Sequence, residues 1–206
     1  MVLIGEGSTQ IGDILEDMYE KMTDNEPRIC RMSRTEAEIC KISLNCFLTT
    51  KISFANMVGD IAIANGLPPQ NILDAIGSDS RIGNKYIKHG YGYGGPCFPR
   101  DNRALALFAN DIGRPAPISV ATDKMNELHL DFQIEQFCKT TPLDQQIVLE
   151  TLTYKPQAVI LEESQQLAFA VAIAESGYRV TVRETKPVIN QLEHKYGDLF
   201  TYEVRE

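Results

Sequence analysis

A glycine-rich stretch that ends in a cysteine carries the strongest chemical signal in this sequence. It runs from Gly90 to Asp101 and reads GYGYGGPCFPRD. Four glycines close together let the backbone approach a ligand and expose N–H groups to it. Cys97 follows them, beside Arg100 and just before a predicted helix, and a cation and a helix N-terminus both favour the nucleophilic thiolate. The residues predict a ligand-binding loop with a reactive cysteine, and they fit a glycine-rich turn with an inert cysteine equally well.

We predict that the remaining cysteines are buried and unreactive. They are Cys30, Cys40, Cys46 and Cys138. The total of five is odd and no CxxC pair occurs, so we expect neither a disulfide framework nor a zinc site, and we assign no metal ligands. In apolar-patterned segments a cysteine usually serves as a small buried hydrophobe.

Composition and charge exclude several functional classes. The chain is 43% hydrophobic and 23% charged, as expected for an ordinary globular protein. Its net charge of −8 argues against a general affinity for nucleic acid, although a few local cations suffice for a small phosphate-bearing ligand. No unbroken apolar run approaches the roughly 20 residues that span a bilayer, and the N-terminal MVLIGEGS lacks a basic region. We therefore predict a cytoplasmic protein without nucleic-acid or membrane partners.

The N-terminal residues predict a small β-α-β unit. Its elements are a strand at Val2–Ile4, a helix at Gly12–Met22 and a strand at Arg28–Met32. Gly5 and Gly7 begin a G-x-G-x-x-G pattern, but Gln10 stands where the third glycine belongs. A phosphate cradle also needs a larger parallel sheet around it. We favour the interpretation that residues 1–32 are the remnant of the end of an NAD-binding domain, and we assign no cofactor-binding residues.

A long amphipathic pattern predicts one dominant helix. Ser33 and Glu36 have the spacing of a capping box, and Gly66 followed by prolines ends the pattern. Apolar residues recur at helical spacing at Ile39, Ile42, Cys46, Phe47, Phe54, Val58 and Ile61. Some thirty residues span about 45–50 Å, and so long an apolar surface needs cover. We expect a homodimer formed through the 33–66 helix.

The rest of the chain divides into a helical part and an alternating part. Helices are predicted at Asn71–Ile76, Asn102–Asp111 and Ile118–Cys138. Strands at Gln146–Glu150, Tyr178–Arg183 and Phe200–Val204 then alternate with helices at Glu162–Glu175 and Lys186–Lys195. The predicted class is α+β or α/β, with a mainly α-helical central dimerisation domain at 33–139 and a truncated Rossmann-like α/β domain at 145–206.

The glycine loop resembles the GFGGSCFPKD-type signature of the UDP-glucose/GDP-mannose dehydrogenase family. Three further runs match the family in the right order, namely Glu38–Leu48, Lys51–Phe54 and Asp79–Tyr86. The resemblance covers most of Val2–Asn126, and the run TYKP at 153–156 resembles the start of the family's C-terminal domain.

The resemblance implies oxidation of the sugar C6 alcohol of a nucleotide sugar to a carboxylate, with two NAD. Cys97 would attack the C6 aldehyde, and hydride loss would give a thioester that water hydrolyses. Lys41 and Asn45 would contact the reacting oxygen, and their i, i+4 spacing places them on one helix face. Asp101 would be the acid–base partner, although a helix N-cap explains an aspartate there as well. The Asp79–Tyr86 run favours UDP-glucose as the nucleotide sugar.

The resemblance also implies a substrate-binding set. These residues are Arg81, which would reach the ligand of the partner subunit, and Tyr86, Lys88, Gly94, Gly95, Phe98 and Lys155. Without the resemblance, the basic residues among them would be interpreted as solvated charges or as a loop lysine.

Several departures from the family pattern bear on activity. Pro96 replaces the usual serine and removes an N–H beside Cys97, and Glu150-Thr151 stands where a glycine is usual. Of the family's N-terminal NAD-binding domain, the resemblance leaves only its end, at residues 1–32, without the G-x-G-x-x-G loop. We therefore expect the chain alone to be inactive and to bind no NAD, whether it is an engineered or proteolytic fragment, a truncated reading frame or half of a split enzyme.

Two other functions compete with a dehydrogenase fragment. The first is a non-catalytic dimerisation or nucleotide-sugar-binding module derived from the same family. The second is a thiol hydrolase built on Cys97, which would need a histidine partner. His89, His129 and His194 are the histidines, and none lies in a recognisable motif. His89 in particular has no evident partner in the sequence, and we predict that it lies at the surface.

Overall fold

The computed structural model describes residues 1–205 and contains a helical body flanked by two small parallel sheets. The helices are α1 Thr9–Met22, α2 Arg34–Ala64, α3 Pro69–Ser78, α4 Phe98–Asp111, α5 Pro117–Thr140, α6 Gln165–Glu175 and α7 Lys186–Tyr196. The strands are β1 Val2–Glu6, β2 Ile29–Ser33, β3 Gln146–Leu149, β4 Arg179–Glu184 and β5 Thr201–Val204. This architecture confirms the fold class predicted from the sequence.

The N-terminal unit is a β-α-β arrangement. β1 and β2 pair in parallel, with Val2 opposite Ile29 and Glu6 opposite Ser33. Ser8 caps α1 by accepting a hydrogen bond from the backbone N–H of Ile11. Gly5 packs against the first turn of α2, where a Cβ would lie 2.9 Å from the Cβ of Ala37. The glycine therefore allows the sheet to pack closely against the long helix.

Helix α2 is the central element of the helical body. Its first turn has the predicted capping box, because Ser33 accepts from Glu36 N–H while the Glu36 side chain accepts from Ser33 N–H. Gly66 follows the helix with φ +71°, a conformation that glycine adopts without a steric cost. Among residues 1–205, this helix is long and apolar enough, by length and composition alone, to cross a membrane. Core helices meet that criterion too, and α2 buries polar side chains such as Thr49 and Asn56 against its neighbours.

Helices α4 and α5 pack on α2 and on each other. α4 begins at Phe98, four residues before the predicted start, because Pro99 is favoured in a first helical turn. Cys97 consequently occupies the N-cap position. Asp101 lies inside the helix, and its interpretation as a helix N-cap is therefore wrong.

The C-terminal part has its own core. β3, β4 and β5 form a parallel sheet in that order, with α6 and α7 as its connections. Fully buried side chains fill the space between sheet and helices, among them Leu152, Ile173, Val182 and Leu192. The predicted helix start at Glu162 is displaced to Gln165, since Ser164 caps α6. The division of the chain into domains at 1–32, 33–139 and 145–206 stays a prediction.

Candidate functional site

A cavity of about 880 Å³ lies between the glycine loop and the segment that follows β3. Its walls contain six of the residues singled out from the sequence, namely Tyr86, Lys88, Gly94, Cys97, Phe98 and Lys155. With Lys85, three lysines thus line one cavity, and this favours an anionic ligand. Lys155 approaches from the C-terminal part and lies 5.3 Å from the ring centre of Tyr154.

Cys97 is placed where a nucleophile could reach a ligand. It is exposed, it lines the cavity, and it stands at the N-terminus of α4. Cys46, in contrast, is buried beneath the site, where its thiol lies 3.4 Å from the carbonyl oxygen of Asp101. Burial raises the pKa of Cys46, so this second thiol is kept protonated.

Lys41, Asn45 and Asp101 form a hydrogen-bonded cluster. Lys41 Nζ and Asn45 Nδ2 each donate to Asp101 Oδ2 over 2.7 Å. The backbone N–H of Asp101 donates to the Cys97 carbonyl over 2.8 Å, so the cluster lies one helical turn beyond the cysteine. The side chains of Lys41, Asn45 and Asp101 thus meet directly, and the backbone places Cys97 one turn before Asp101. Of these four residues, Cys97 lines the cavity and the other three lie outside its wall.

The electrostatics of this cluster keep Asp101 ionised. Burial raises the pKa of Asp101, but the hydrogen bonds from Lys41 and Asn45 and the nearby charges outweigh burial and hold it below its usual range. Oδ2 receives both donors, while Arg100 Nε lies 3.6 Å from Oδ1, beyond hydrogen-bond distance. Oδ1 therefore keeps capacity to accept a proton or a further hydrogen bond.

The glycines of the loop fit close packing within the protein as well as ligand approach. Gly94 lies against the carbonyl of Glu163, and Gly95, with φ +82°, lies against the ring of Tyr154. Gly95 N–H also donates to the Glu162 carbonyl over 3.0 Å. Gly95 is absent from the cavity wall, and its contact with a ligand stays a prediction.

Arg81 lies away from the cavity of its own chain. Its side chain is 87% exposed and its guanidinium pairs with Asp79, with Nη2 and Oδ2 2.6 Å apart. The sequence resemblance placed Arg81 at the ligand of a partner subunit, and its exposure leaves it free for such a contact.

Several cavity residues were missing from the set chosen from the sequence. They are Ile52, Asn84, Lys85, Tyr91, Gly92, Tyr93, Pro96 and Tyr154. All lie inside or beside the runs that carry the family resemblance, so the resemblance is the sequence feature that could have identified them. The backbone of Tyr86 also marks this region as a candidate site. Its φ of +66° is strained for a residue with a side chain, and such strain is frequent at functional sites.

The prediction that His89 is a surface residue without a partner is wrong. His89 Nε2 lies 2.9 Å from Asp60 Oδ1, and His129 contacts the same carboxylate from α5. The partners are distant in sequence, so spacing could not reveal them.

The β1–α1 turn does not fit a dinucleotide. The Glu6 carboxylate lies directly over Gly12 in the first turns of α1, where a pyrophosphate would need to approach. Arg31 is held there by ion pairs to Glu6, Asp13 and Glu16. An anion next to a helix N-terminus would repel a second anion.

The sequence is similar to known proteins along most of its length. Residues 35–128 match the central domain of the UDP-glucose/GDP-mannose dehydrogenase family. The chain is 34% identical over 192 residues to a UDP-glucose 6-dehydrogenase of Pseudomonas aeruginosa, covering 92% of this chain and 42% of that protein. It is 29% identical over 186 residues to a GDP-mannose 6-dehydrogenase of the same species, covering 88% and 41%.

A solved structure shows the same architecture. A UDP-glucose dehydrogenase from the hyperthermophilic archaeon Pyrobaculum islandicum superposes with a TM-score of 0.85 at 30% identity, covering 98% of this chain and 46% of that one. The chain thus spans less than half the length of each of these relatives.

Proposed function

We propose, since this chain belongs to the UDP-glucose/GDP-mannose dehydrogenase family, that its cavity binds a nucleotide sugar and that Cys97 bonds to the sugar C6 carbon. The reaction served would be oxidation of the C6 alcohol to a carboxylate. The observation that carries the proposal is the position of Cys97 in the cavity wall, one helical turn from the Lys41–Asn45–Asp101 cluster.

Each residue of the cluster has a role suited to its chemistry. Cys97 would add to a C6 aldehyde to form a thiohemiacetal, and Lys41 and Asn45 would donate hydrogen bonds to the developing oxyanion. Asp101, which is held ionised, suits a base more than an acid, and it would take a proton from the thiol or from an attacking water. Lys88 and Lys155 would bind the diphosphate of the nucleotide.

NAD supplies the oxidising chemistry in this family. Because the β1–α1 turn does not fit a dinucleotide, the proposal for these 206 residues ends at binding of the nucleotide sugar. The thiohemiacetal with Cys97 would form only with the C6 aldehyde supplied, since the C6 alcohol has no carbonyl for the thiol to add to. We expect no NADH from this chain mixed with NAD and UDP-glucose.

UDP-glucose is the proposed ligand. Relatives named for UDP-glucose include two that are 34% and 35% identical to the chain, and relatives named for GDP-mannose include two that are 29% and 27% identical. The Asp79–Tyr86 run favours the same choice. Free cysteines throughout the described residues also suit the reducing cytoplasm, which is the proposed location.

Protection of Cys97 against alkylation tests the proposal. The chain would be treated with iodoacetamide, with and without UDP-glucose or GDP-mannose, and each cysteine quantified by mass spectrometry. We expect Cys97 to be modified first and to be protected by UDP-glucose. Cys138 is also exposed and lies outside the cavity wall, so it is an internal control whose rate should not change. Faster modification of Cys138, or unprotected Cys97 at saturating ligand, would contradict the proposal.

We also propose that α2 forms a symmetric homodimer. Phe47, Phe54 and Ile61 stand seven residues apart on one helix face and are 67%, 44% and 58% exposed. Such a stripe is the pattern of a helix–helix interface. Light scattering should give the mass of a dimer at micromolar concentration, and Phe54→Glu should give a monomer. A monomeric parent chain would refute this.

A further inference from the structure

His129 is held between two groups that can only accept hydrogen bonds. Its Nδ1 lies 2.8 Å from Asp60 Oδ2, and its Nε2 lies 2.6 Å from the backbone carbonyl oxygen of Gly90. A carbonyl oxygen carries no hydrogen, and an ionised carboxylate carries none either. Both ring nitrogens therefore face oxygen acceptors, and the whole residue is 0% exposed.

The carboxylate that faces His129 has a lowered pKa. Burial raises the pKa of Asp60, but hydrogen bonds from His129 and His89 outweigh burial and hold it below its usual range. A buried charge persists only when it is paired and hydrogen-bonded, and both conditions are met here.

The surroundings of the pair are closely packed. His89 packs its ring against Gly59 of α2, where any Cβ would collide with it. This contact explains a glycine inside a long helix, where it costs about 1 kcal/mol relative to alanine. The titratable groups that contact His129 are Asp60 from α2 and His89 from the loop. Its own helix contributes the neutral Gln133 nearby, and α6 carries no ionisable side chain from Gln165 to Ala174.

The same residues hold the loop that lines the cavity. The Gly90 carbonyl accepts from His129 and, over 3.2 Å, from Gln133 Nε2, while Gly90 N–H donates to Asn56 Oδ1 over 3.1 Å. Gly90 is flanked at short range by Lys88 and Tyr91, both of which line the cavity. A displacement of Gly90 would therefore move two residues of the cavity wall.

We propose that His129 donates from both ring nitrogens, and that the resulting Asp60–His129 ion pair is a positioning device that fixes the Gly90 carbonyl and thereby sets the cavity loop for nucleotide-sugar binding. The charged pair acts through the loop and does not touch the ligand. The inference of a ligand effect depends on the proposed function, whereas the ion pair and its control of the loop do not.

A divalent cation between Asp60, His89 and His129 is the competing interpretation. The three side chains present ligand atoms within 4.8 Å of one another. The contacts to the carboxylate are 2.8 to 2.9 Å, which are hydrogen-bond lengths. Tetrahedral zinc with bonds of about 2.0–2.1 Å would separate its donor atoms by about 3.3 Å. The distances therefore favour hydrogen bonds between these side chains over coordination of a metal ion. Metal binding is one outcome of the test below.

The first experiment needs neither ligand nor mutation. Histidine ring signals of the 15N-labelled chain would be recorded at pH 7. We expect both ring N–H groups of His129 to be visible and slow to exchange, and zinc to leave the spectrum unchanged. A single ring N–H, or loss of the signals with stoichiometric zinc, would overturn the ion pair.

The second experiment separates positioning from folding. In Asp60→Asn the Gly90 and Tyr93 amides should exchange with solvent at least about tenfold faster, and the Kd for UDP-glucose should rise at least about tenfold, since charged hydrogen bonds of this kind are lost. Asp60→Asn/His129→Gln removes both charges and should recover part of the loss. Leu192→Ala, in the remote C-terminal core, is the control that destabilises the chain and leaves both readouts unchanged.

The outcomes distinguish the two proposals. Unchanged amide exchange in Asp60→Asn, or a double variant as impaired as the single one, would overturn the positioning role. If the parent chain does not bind UDP-glucose while the amides respond as expected, the proposed function fails and the ion pair with its loop stands. If Asp60→Asn does not fold, the milder Gln133→Ala, which removes one donor to Gly90, should still speed exchange at the loop.

Discussion

Replacement of Asp101 by asparagine is the most direct test of how the candidate site is held together. The side chain is 6% exposed, and its Oδ2 accepts hydrogen bonds from Lys41 and Asn45. Asparagine has nearly the same shape but no charge. The substitution therefore removes the ionic part of both contacts and leaves the packing in place.

The structure sets the expected magnitude. A hydrogen bond to a charged group contributes about 1.5–3 kcal/mol, and an exposed ion pair contributes about 1 kcal/mol or less. The Lys41 side chain is 54% exposed and stays hydrated after the substitution, so its ion pair with Asp101 contributes about 1 kcal/mol or less. The hydrogen bond from Asn45 to the charged carboxylate contributes about 1.5–3 kcal/mol, but the new amide oxygen keeps part of it. We expect Asp101→Asn to lower the free energy of unfolding by about 2 kcal/mol.

The stability difference between the parent chain and Asp101→Asn should depend on pH. The folded-state pKa of Asp101 is lowered from the ordinary value of 3.8, so its stabilisation is complete above that value and is lost as pH falls through the folded-state pKa. Urea unfolding followed by circular dichroism should show a constant difference between parent and variant from neutral pH to about pH 5. Below pH 3.8 the two stabilities should converge.

A matched control is available in α1. Asp17 forms an exposed i, i+4 ion pair with Lys21, and Asp17→Asn should cost about 0.5 kcal/mol or less. An Asp101→Asn loss as small as that of the control would refute the reasoning. So would a difference that persists undiminished at low pH.

Further substitutions probe other parts of the fold. Gly95→Ala should destabilise the chain by more than about 1 kcal/mol in urea unfolding, because φ is +82° and the new methyl group would collide with Tyr154; a neutral effect would contradict the close packing. Leu192→Ala should cost about 2–5 kcal/mol, since this side chain is 0% exposed in the C-terminal core, and a loss below 1 kcal/mol would show that the core is loosely packed. Ser33→Ala should cost about 0.5–2 kcal/mol by removing the α2 cap, as measured by thermal unfolding, whereas an unchanged melting temperature would count against the capping box.

Features governed by neighbours along the chain were accessible from the sequence. The capping box of Ser33 and Glu36 and the stop at Gly66 are local, so they marked both ends of α2 to within about two residues. The placement of Lys41 and Asn45 on one face also followed from helical periodicity. The identity of the cysteine loop came from resemblance, since the residues alone fitted an inert turn equally well.

Contacts between distant segments were decided by the tertiary structure. Asp101 meets Lys41 across sixty positions of the chain, and only the crossing of α4 over α2 brings their side chains together. His89 from the loop and His129 from α5 likewise meet Asp60 of α2 only in the folded chain, so their spacing in the sequence did not reveal this partner. Residue type and periodicity determine which face a helix buries, whereas hydrogen bonds of under 3 Å depend on how two elements cross, and that geometry is set by the packing of the whole body.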